Sequence, residues 1–241
     1  MTGTIINIGA VLVGGALGTL LGARLPDKMR DTVMSGLGLV TLALGLSMAL
    51  QSKNLLVVMG SVLVGGVLGE WWRIEDKLEA IGRWLEARFG RPDDAAAGRS
   101  VTRAFVTTSL LFCVGPMTIM GSLLDGLTGD YQLLAIKSLL DGFAALAFGA
   151  SLGPGVLFSA VTIPIYQGGL SLAALSFGAN MAGIRADHPA VIEMTATGGV
   201  LIMGIALILL NLKRIRISNF LPAIAIAPLV VILLARLGVS L

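Results

Sequence analysis

Eight apolar segments, each long enough to cross a lipid bilayer, restrict the folds that this chain can adopt. A helix needs about 20 apolar residues to span the hydrocarbon core, with a range of roughly 17 to 25. The segments that reach this length are 4–23, 32–50, 55–72, 101–124, 131–150, 154–177, 192–212 and 219–237. Nothing long enough for a soluble domain remains outside them. We therefore predict an all-α integral membrane protein of eight transmembrane helices, forming a single polytopic domain over residues 1–241.

The composition agrees with a membrane protein and excludes several other classes. Hydrophobic residues make up 56% of the chain, and charged residues only 13%. The single cysteine, Cys113, leaves no intramolecular disulfide, and the single histidine, His188, does not build a metal site alone. No serine–histidine–acid arrangement, metal-ligand spacing or phosphate-binding loop is found. We therefore predict no enzyme activity, no cofactor and no metal.

The basic residues sort onto one side of the predicted membrane. With eight spans, the loops after spans one, three and seven share a side and hold three, seven and three basic residues, thus 13 of 17. The positive-inside rule places these loops in the cytoplasm and both termini outside it. The net charge of +3 is then a topology signal, so we predict the lipid bilayer, and no nucleic acid, as a partner.

A glycine-rich decamer occurs twice. "GAVLVGGALG" at Gly9–Gly18 and "GSVLVGGVLG" at Gly60–Gly69 are identical at eight of ten positions. Both spans run inward, which predicts a helical hairpin repeated in parallel, with units 4–50 and 55–124, followed by the remaining helices in 131–237. Glycines four residues apart form a stripe that lets helices approach closely, as in a glycine zipper. Packing within the chain is the first interpretation of the stripes, and a homodimer face is the alternative.

The longest loop contains an amphipathic helix. In "RIEDKLEAIGRWLEARFG", over 73–90, apolar residues recur at spacings of three and four. The polar face is rich in Arg and Lys, and three tryptophans lie nearby, which favours a helix lying flat on the anionic inner leaflet. A solvated cytoplasmic helix is the alternative.

The fifth span carries charge near the bilayer centre. Asp141 lies ten residues into this span, about 15 Å deep at the helical rise. An ionised carboxylate there costs at least about 2.5 to 3.5 kcal/mol. Lys137, four residues earlier on the same face, lowers that cost. Both a structural ion pair and a charged site on a substrate or ion path fit this spacing.

Two neighbouring spans are interrupted. Gly115-Pro116 removes a backbone hydrogen bond from span four and frees carbonyls near Phe112 and Val114, and Pro164 interrupts span six. Interrupted helices supply carbonyls and helix-end dipoles to ions in transporters, although a simple kink is the alternative for each. We predict one cavity between spans four to seven. Its candidate substrate- or ion-binding residues are Asp141, Lys137, Gly115, Pro116, Thr118, Asp125, Gln167 and Glu193.

Several short motifs resemble a known family. "GTIINIGAVLVGG", "GEWWRIEDKLE", "SLLFCVGPMTIMGS", "DGLTGD", "KSLLDG" and "EMTATGGVLIMG" are similar to stretches of an uncharacterised family of bacterial inner-membrane proteins, domain of unknown function 554. The resemblance covers almost the whole chain. It implies a multi-pass plasma-membrane protein, sometimes labelled a transporter. The family has no agreed substrate or site residues, so the candidate residues above are not transferred from it.

These features together predict a small secondary transporter of a small solute or ion, coupled to Na⁺ or H⁺. A channel would need polar residues along a continuous path, and the scattered polar residues do not show one. A non-transporting scaffold or partner-binding protein would explain the glycine stripes and the amphipathic helix. It would leave Asp141 and the interrupted helices unexplained.

Overall fold

The computed structural model describes residues 1–22, 26–90, 100–181 and 187–237, and no strand occurs among them. The side chains of Asp27, Pro116 and residues 177–181 are not part of this description. Three of the 13 basic residues counted as topology signals lie outside the described residues: Arg24, Arg91 and Arg99. Arg185 and the loop 91–98 also lie outside them.

Eleven α-helices are described within these ranges. They are α1 Thr2–Gly22, α2 Asp27–Ala49, α3 Leu55–Trp72, α4 Ile74–Phe89, α5 Val101–Cys113, α6 Pro116–Leu127, α7 Gln132–Leu152, α8 Ser159–Ile163, α9 Gly169–Met181, α10 Pro189–Leu209 and α11 Pro222–Arg236. Two 3-10 segments, Pro154–Phe158 and Ile217–Phe220, and one π segment, Pro164–Gly168, connect some of them.

Among the described residues, seven helical stretches are long and apolar enough to cross a membrane. They are Thr2–Gly22, Lys28–Ala49, Leu55–Trp72, Gln132–Leu152, Pro154–Ser176, Pro189–Leu209 and Ile217–Arg236. An eighth crossing is present if α5 and α6, bent by 61° at their junction, form one broken span. The predicted all-α membrane fold is therefore confirmed, with the fourth predicted span as the broken one.

Local chemistry sets several helix ends. The Asn54 side chain accepts a hydrogen bond from the Leu56 N–H at 3.1 Å and so caps the start of α3. Arg73 ends the same helix in the left-handed conformation, with φ of 52°. At α10, the His188 ring accepts from the Ala190 N–H at 3.2 Å, and a proline occupies the first turn. The predicted span 55–72 has the limits of α3, whereas the predicted span 192–212 begins and ends three residues later than α10.

The contacts of the chain divide into two compact units. The first unit comprises Met1–Leu37 and Glu79–Gly183, and the second comprises Gly38–Leu78 and Ile184–Leu241. Helices α2 and α4 contribute residues to both. The single polytopic domain stays a prediction, and each unit is described by itself.

In the first unit, α1 packs on α7 with its backbone almost in contact. Gly14, Gly18 and Gly22 lie one turn apart, and a side chain at any of them would overlap a backbone carbonyl of α7. The approach is reciprocal, because a Cβ at Gly149 of α7 would lie 2.7 Å from the Gly15 carbonyl oxygen. Small residues in the decamer are therefore a geometric requirement of this packing.

In the second unit, α3 uses the corresponding glycines in the same way. A Cβ at Gly65 would lie 2.5 Å from the Ala223 nitrogen, and one at Gly69 would overlap the Asn219 carbonyl. Val57 of α3 also joins an apolar cluster with residues of α10 and α11. Both stripes are thus used for packing within the chain. The parallel orientation of the repeated hairpins and the homodimer stay predictions.

The predicted amphipathic helix is observed as α4. Part of its apolar face packs against the protein, since Leu85 is buried in a cluster with Val101 and Phe105. The Phe89 ring lies 5.1 Å from that of Phe158, centroid to centroid. The sequence suggested either a helix on the membrane surface or a helix in solvent. Neither interpretation included packing of α4 against other helices of the chain. The position of α4 on the inner leaflet stays a prediction.

Candidate functional site

The candidate site is built around an ion pair in the middle of α7. Lys137 and Asp141 are four residues apart on one face of the helix, and the Lys137 ammonium donates to Asp141 Oδ2. Their side chains are only 7% and 12% exposed. Asp141 is near the midpoint of this 21-residue apolar helix, as the sequence indicated. The predicted pairing of these two residues is therefore found in the structure.

An asparagine of α1 connects this pair to the π segment. Asn7 Nδ2 donates to Asp141 Oδ2 at 2.9 Å and to Gln167 Oε1 at 3.0 Å. Asn7 is fully buried. Sequence reasoning left Asn7 out of the candidate residues, although an amide within an otherwise apolar span was an available signal. Its importance comes from the close packing of α1 on α7, which the sequence does not show residue by residue.

Gln167 extends the chain of contacts back to α1. Its Nε2 donates to Thr4 Oγ1 at 3.1 Å, while its Oε1 accepts from Asn7. Five side chains are thus connected in one polar network: Thr4, Asn7, Lys137, Asp141 and Gln167. Taken as whole residues, all five are less than a tenth exposed. Gln167, predicted as a wall of the site, is linked to Asp141 through a single intervening residue.

The π segment accounts for the position of Gln167. Sequence reasoning expected Pro164 to interrupt its span. In the structure the residues from Pro164 to Gly168 continue as a π turn, which widens the helix between α8 and α9. Single π turns within α-helices occur frequently at functional sites, because they rotate the following side chains out of the regular register. Here the turn holds Gln167 buried against α1.

One oxygen of the polar network has no partner among the described residues. Asn7 Oδ1 is buried and accepts no hydrogen bond, while its amide nitrogen serves both Asp141 and Gln167. An unmet buried acceptor costs about 1 to 3 kcal/mol. The network therefore offers an oxygen ligand next to a carboxylate, which suits a hydrogen-bond donor or a small cation.

The predicted break in span four lies between α5 and α6. Val114 and Gly115 leave the helical conformation, and α6 begins at Pro116, whose side chain lies outside the described part. The carbonyl freed at Phe112 does not stay unpaired, because Thr118 Oγ1 donates to it at 3.2 Å. Thr118 thus stabilises the break from the following helix.

The helix that ends at the break packs against the helix of the ion pair. Helix α5 contacts α7 and also α8. The sulfur of Cys113, the last residue of α5, lies 4.0 Å from the Thr162 hydroxyl of α8. These contacts bring the broken helix, the ion pair and the helix before the π segment into one region of the first unit. A common cavity around them stays a prediction.

Asp125 and Glu193 make contacts of a different kind. Asp125 Oδ2 accepts from the Met1 amino group at 2.9 Å and from the Gly3 N–H at 3.3 Å, so it stabilises the positive end of the α1 dipole. Glu193 lies in the second unit and holds the turn before α3. Its carboxylate accepts from the Ser52 hydroxyl at 2.7 Å and from the Lys53 N–H at 2.8 Å. For both residues a structural contact is shown, and ligand binding stays a prediction.

The chain is similar to proteins of two bacteria. Uncharacterized protein YqgA of Escherichia coli strain K12 is 33% identical over 228 residues, which cover 93% of this chain and 94% of that protein. Uncharacterized membrane protein YdfK of Bacillus subtilis strain 168 is 28% identical over 242 residues, which cover 99% of each. No solved structure matches. The family described as "Protein of unknown function (DUF554)" matches residues 2–232, and this multi-pass membrane protein therefore belongs to the DUF554 family.

Proposed function

We propose that the protein is a small secondary transporter of a small solute or ion, coupled to Na⁺ or H⁺. The observation that carries the proposal is the buried polar network around Asp141, built from the apolar spans α1 and α7 and the π segment. Ionisable residues within membrane spans are costly, and they normally face one another or a path for ions and substrates. Lys137 and Asp141 face one another, and the unpaired Asn7 Oδ1 beside them is a ligand for an ion or substrate.

The ion pair supplies a means of coupling. In a buried site the Asp141 carboxylate can be neutralised by the Lys137 ammonium or by an incoming cation, but the two positive charges compete for it. A proton or Na⁺ at Asp141 would therefore release Lys137. Asn7 Oδ1 would supply a further oxygen ligand to Na⁺. The coupling ion bound at Asp141 and the Lys137–Asp141 ion pair then favour different conformations of the site. A ligand shifts a conformational equilibrium only when it binds one state more tightly than the other, and this competition meets that requirement.

The interrupted helices provide the adaptable backbone that such a shift needs. The α5–α6 junction follows a helix that packs against α7, and the π segment is connected to Asp141 through Asn7 and Gln167. Discontinuous helices line the binding sites of many secondary transporters, where they supply carbonyls and dipoles. In this chain the Phe112 carbonyl accepts from the Thr118 hydroxyl, a bond that can open without unwinding α6.

The scaffold alternative loses part of its support. It was motivated by the glycine stripes, and both stripes are already covered by helices of the same unit. A stripe packed against its own chain does not present the small-residue face that a partner helix would need. In a purely structural protein, the side chains of the polar network would serve only to pair with one another.

The test is transport by the purified full chain in proteoliposomes. Vesicles with an imposed Na⁺ or pH gradient are screened with labelled amino acids, organic acids and inorganic ions. We expect saturable uptake that requires the gradient, and Asp141→Asn should fold but lose the gradient dependence. Arg83→Gln, an exposed charge change on α4, serves as the control and should transport normally. Non-saturating flux would indicate a channel, and the absence of any gradient-driven flux in the wild type would contradict the proposal.

A further inference from the structure

Helices α1 and α7 pack in parallel within the first unit. Steps of four residues along α1 meet steps of four residues along α7 in the same order: Gly14 with Gly142, Gly18 with Leu146 and Gly22 with Ala150. Both helices therefore begin at the same end of this unit, which we call the leading end. Helix α6 also ends there, because only residues 128–131 separate it from the start of α7.

The polar network lies in the half of α1 and α7 next to the leading end. Thr4 and Asn7 belong to the first two turns of α1, and Lys137 and Asp141 lie in the first half of α7. Gln167 contacts the first turn of α1 through Thr4. Hydrogen bonds between side chains thus run from the first turn of α1, through Gln167 and Asn7, to Asp141.

The other half of the two helices is apolar and closely packed. On the face of α1 that carries Asn7, the next buried residue is Val11, and on the face of α7 that carries Asp141, Ala145 and Phe148 follow. None of these three is more than 1% exposed. Beyond them, at Gly18 and at Gly22, even a methyl group does not fit between the two backbones. The side-chain contacts described for Asp141 therefore lead only toward the leading end.

Two buried oxygens along this line accept or donate no hydrogen bond within the described part of the chain. One is Asn7 Oδ1, and the other is the hydroxyl of Ser171, which is 1% exposed. Ser171 lies on α9, four residues after Gln167, and its carbonyl would overlap a Cβ at Gly126 in the last turn of α6. It therefore lies between Gln167 and the leading end. Unpaired buried oxygens are costly, and they suit a passing water molecule or cation.

The first turn of α1 covers this line at the leading end. The Asp125 carboxylate of α6 holds that turn, because it accepts from the Gly3 N–H at 3.3 Å and from the Met1 amino group at 2.9 Å. Thr4, in the same turn, is 2% exposed and is bound to Gln167. Both contacts are hydrogen bonds at the end of a helix, so a movement of one turn is sufficient to break them.

We propose that the coupling ion reaches Asp141 from the leading end, past Thr4, Ser171 and Asn7, when the first turn of α1 moves. The far halves of α1 and α7 form the closed side of the site. This inference rests on the proposed ion coupling and adds the direction of access to it. In the predicted orientation the leading end faces the outside of the cell, so an inward gradient of Na⁺ or H⁺ would load Asp141 from outside.

Cysteine accessibility tests the route without requiring transport. Cys113 is the single cysteine, so the variants are made in a Cys113→Ala background. The reagent is a membrane-impermeant methanethiosulfonate, which reacts with thiolates in water, applied to right-side-out and to inside-out membrane vesicles. Two variants on the route, a buried control one turn past Asn7 and an exposed marker before α7 are compared: Thr4→Cys, Ser171→Cys, Val11→Cys and Asp130→Cys.

The two route variants should react at least about tenfold faster from the side that labels Asp130→Cys than from the opposite side. From the marked side, Val11→Cys should react at least about tenfold more slowly than Thr4→Cys, although both positions are buried in this structure. The difference is expected because opening of the first turn exposes Thr4 and leaves Val11 packed between α1 and its neighbours.

Three results would overturn the proposal: equal or faster reaction of the route variants from the opposite side, no reaction of either from the marked side, or Val11→Cys reacting as fast as they do. Size-exclusion chromatography reports folding, and Ser171→Cys, a change of one atom, maintains the test if Thr4→Cys does not fold. One-sided labelling without gradient-driven uptake would retain the route and reject ion-coupled transport. Uptake without one-sided labelling would reject the route alone.

Discussion

Asp141 receives two donors at one carboxylate oxygen, and the two have different roles. Lys137 Nζ compensates the charge, whereas Asn7 Nδ2 carries no charge and fixes the carboxylate against α1. Charge compensation is thus local to α7, while orientation depends on a second helix. A change at Lys137 and a change at Asn7 are therefore expected to perturb the site in different ways.

The ion pair predicts a pattern of stabilities in single and double variants. Lys137→Gln or Asp141→Asn alone leaves an unpaired buried charge, which should lower the free energy of unfolding by about 3 to 5 kcal/mol. The double variant K137Q/D141N leaves no charge and should be less destabilised than either single variant. Thermal unfolding in detergent measures all three.

The control is a pair with the same spacing on the surface of α4. Arg83 and Glu79 are 3.2 Å apart with the Arg83 side chain 63% exposed, so Arg83→Gln should change stability by less than about 0.5 kcal/mol. If the free energy of unfolding of K137Q/D141N fell by the sum of the two single-variant losses, Lys137 and Asp141 would contribute to stability independently.

The residues of the site differ in how far the sequence predicted them. Lys137 and Asp141 were found because a spacing of four residues on one helix brings side chains together without any knowledge of tertiary structure. Asn7 is 134 residues from Asp141, and their contact depends on the packing of α1 on α7. Thr4 is similar, since only the fold brings it to Gln167.

Among the helices, the glycine stripes give the sharpest prediction. Gly18→Ala and Gly69→Ala should each lower the yield of folded protein, because the new methyl group would overlap a backbone carbonyl of the partner segment. Gly9 and Gly60 are matched controls from the same repeated decamer, with no atom of a neighbouring element within 4 Å of an added Cβ. Alanine there should be neutral or slightly stabilising, since it favours helix.

Size-exclusion chromatography and thermal unfolding of the four variants give the measurement. The outcome should be the same in α1 and α3, although the two helices belong to different units. Comparable loss at Gly9 and Gly18 would mean that the stripes do not carry the packing.

Helix extents were predicted better than helix irregularities. The length of an apolar run sets where a span starts and stops, so the limits of α3 and α7 follow the sequence closely. The break at Gly115 was also predictable, because proline removes a backbone donor at a known position. The π turn at Pro164–Gly168 was not, because proline alone does not specify which carbonyls the following N–H groups will reach. The packing of Leu85 was missed because periodicity identifies an apolar face but not what covers it.

For the whole molecule, the sorting of basic residues predicts the orientation of every span. Lys28 stands at the start of α2, and Lys53 shortly after its end. In a Cys113→Ala background, Lys53→Cys should react with a membrane-impermeant maleimide on intact cells. Lys28→Cys should react only after permeabilisation, because it lies on the predicted cytoplasmic side. Labelling of both from one side would contradict the eight-span topology.

The repeated decamer also has a consequence for how the chain could change over time. Asn7 stands two residues before the first copy, and Val58 stands two residues before the second. Both positions are buried, the first occupied by an amide of the polar network and the second by an apolar side chain. Because the glycines allow the close approach of the helices, a duplicated helix can keep this contact while neighbouring positions diverge. One copy can then acquire a polar contact at a position where the other keeps an apolar side chain, and this route is open to any duplicated membrane helix.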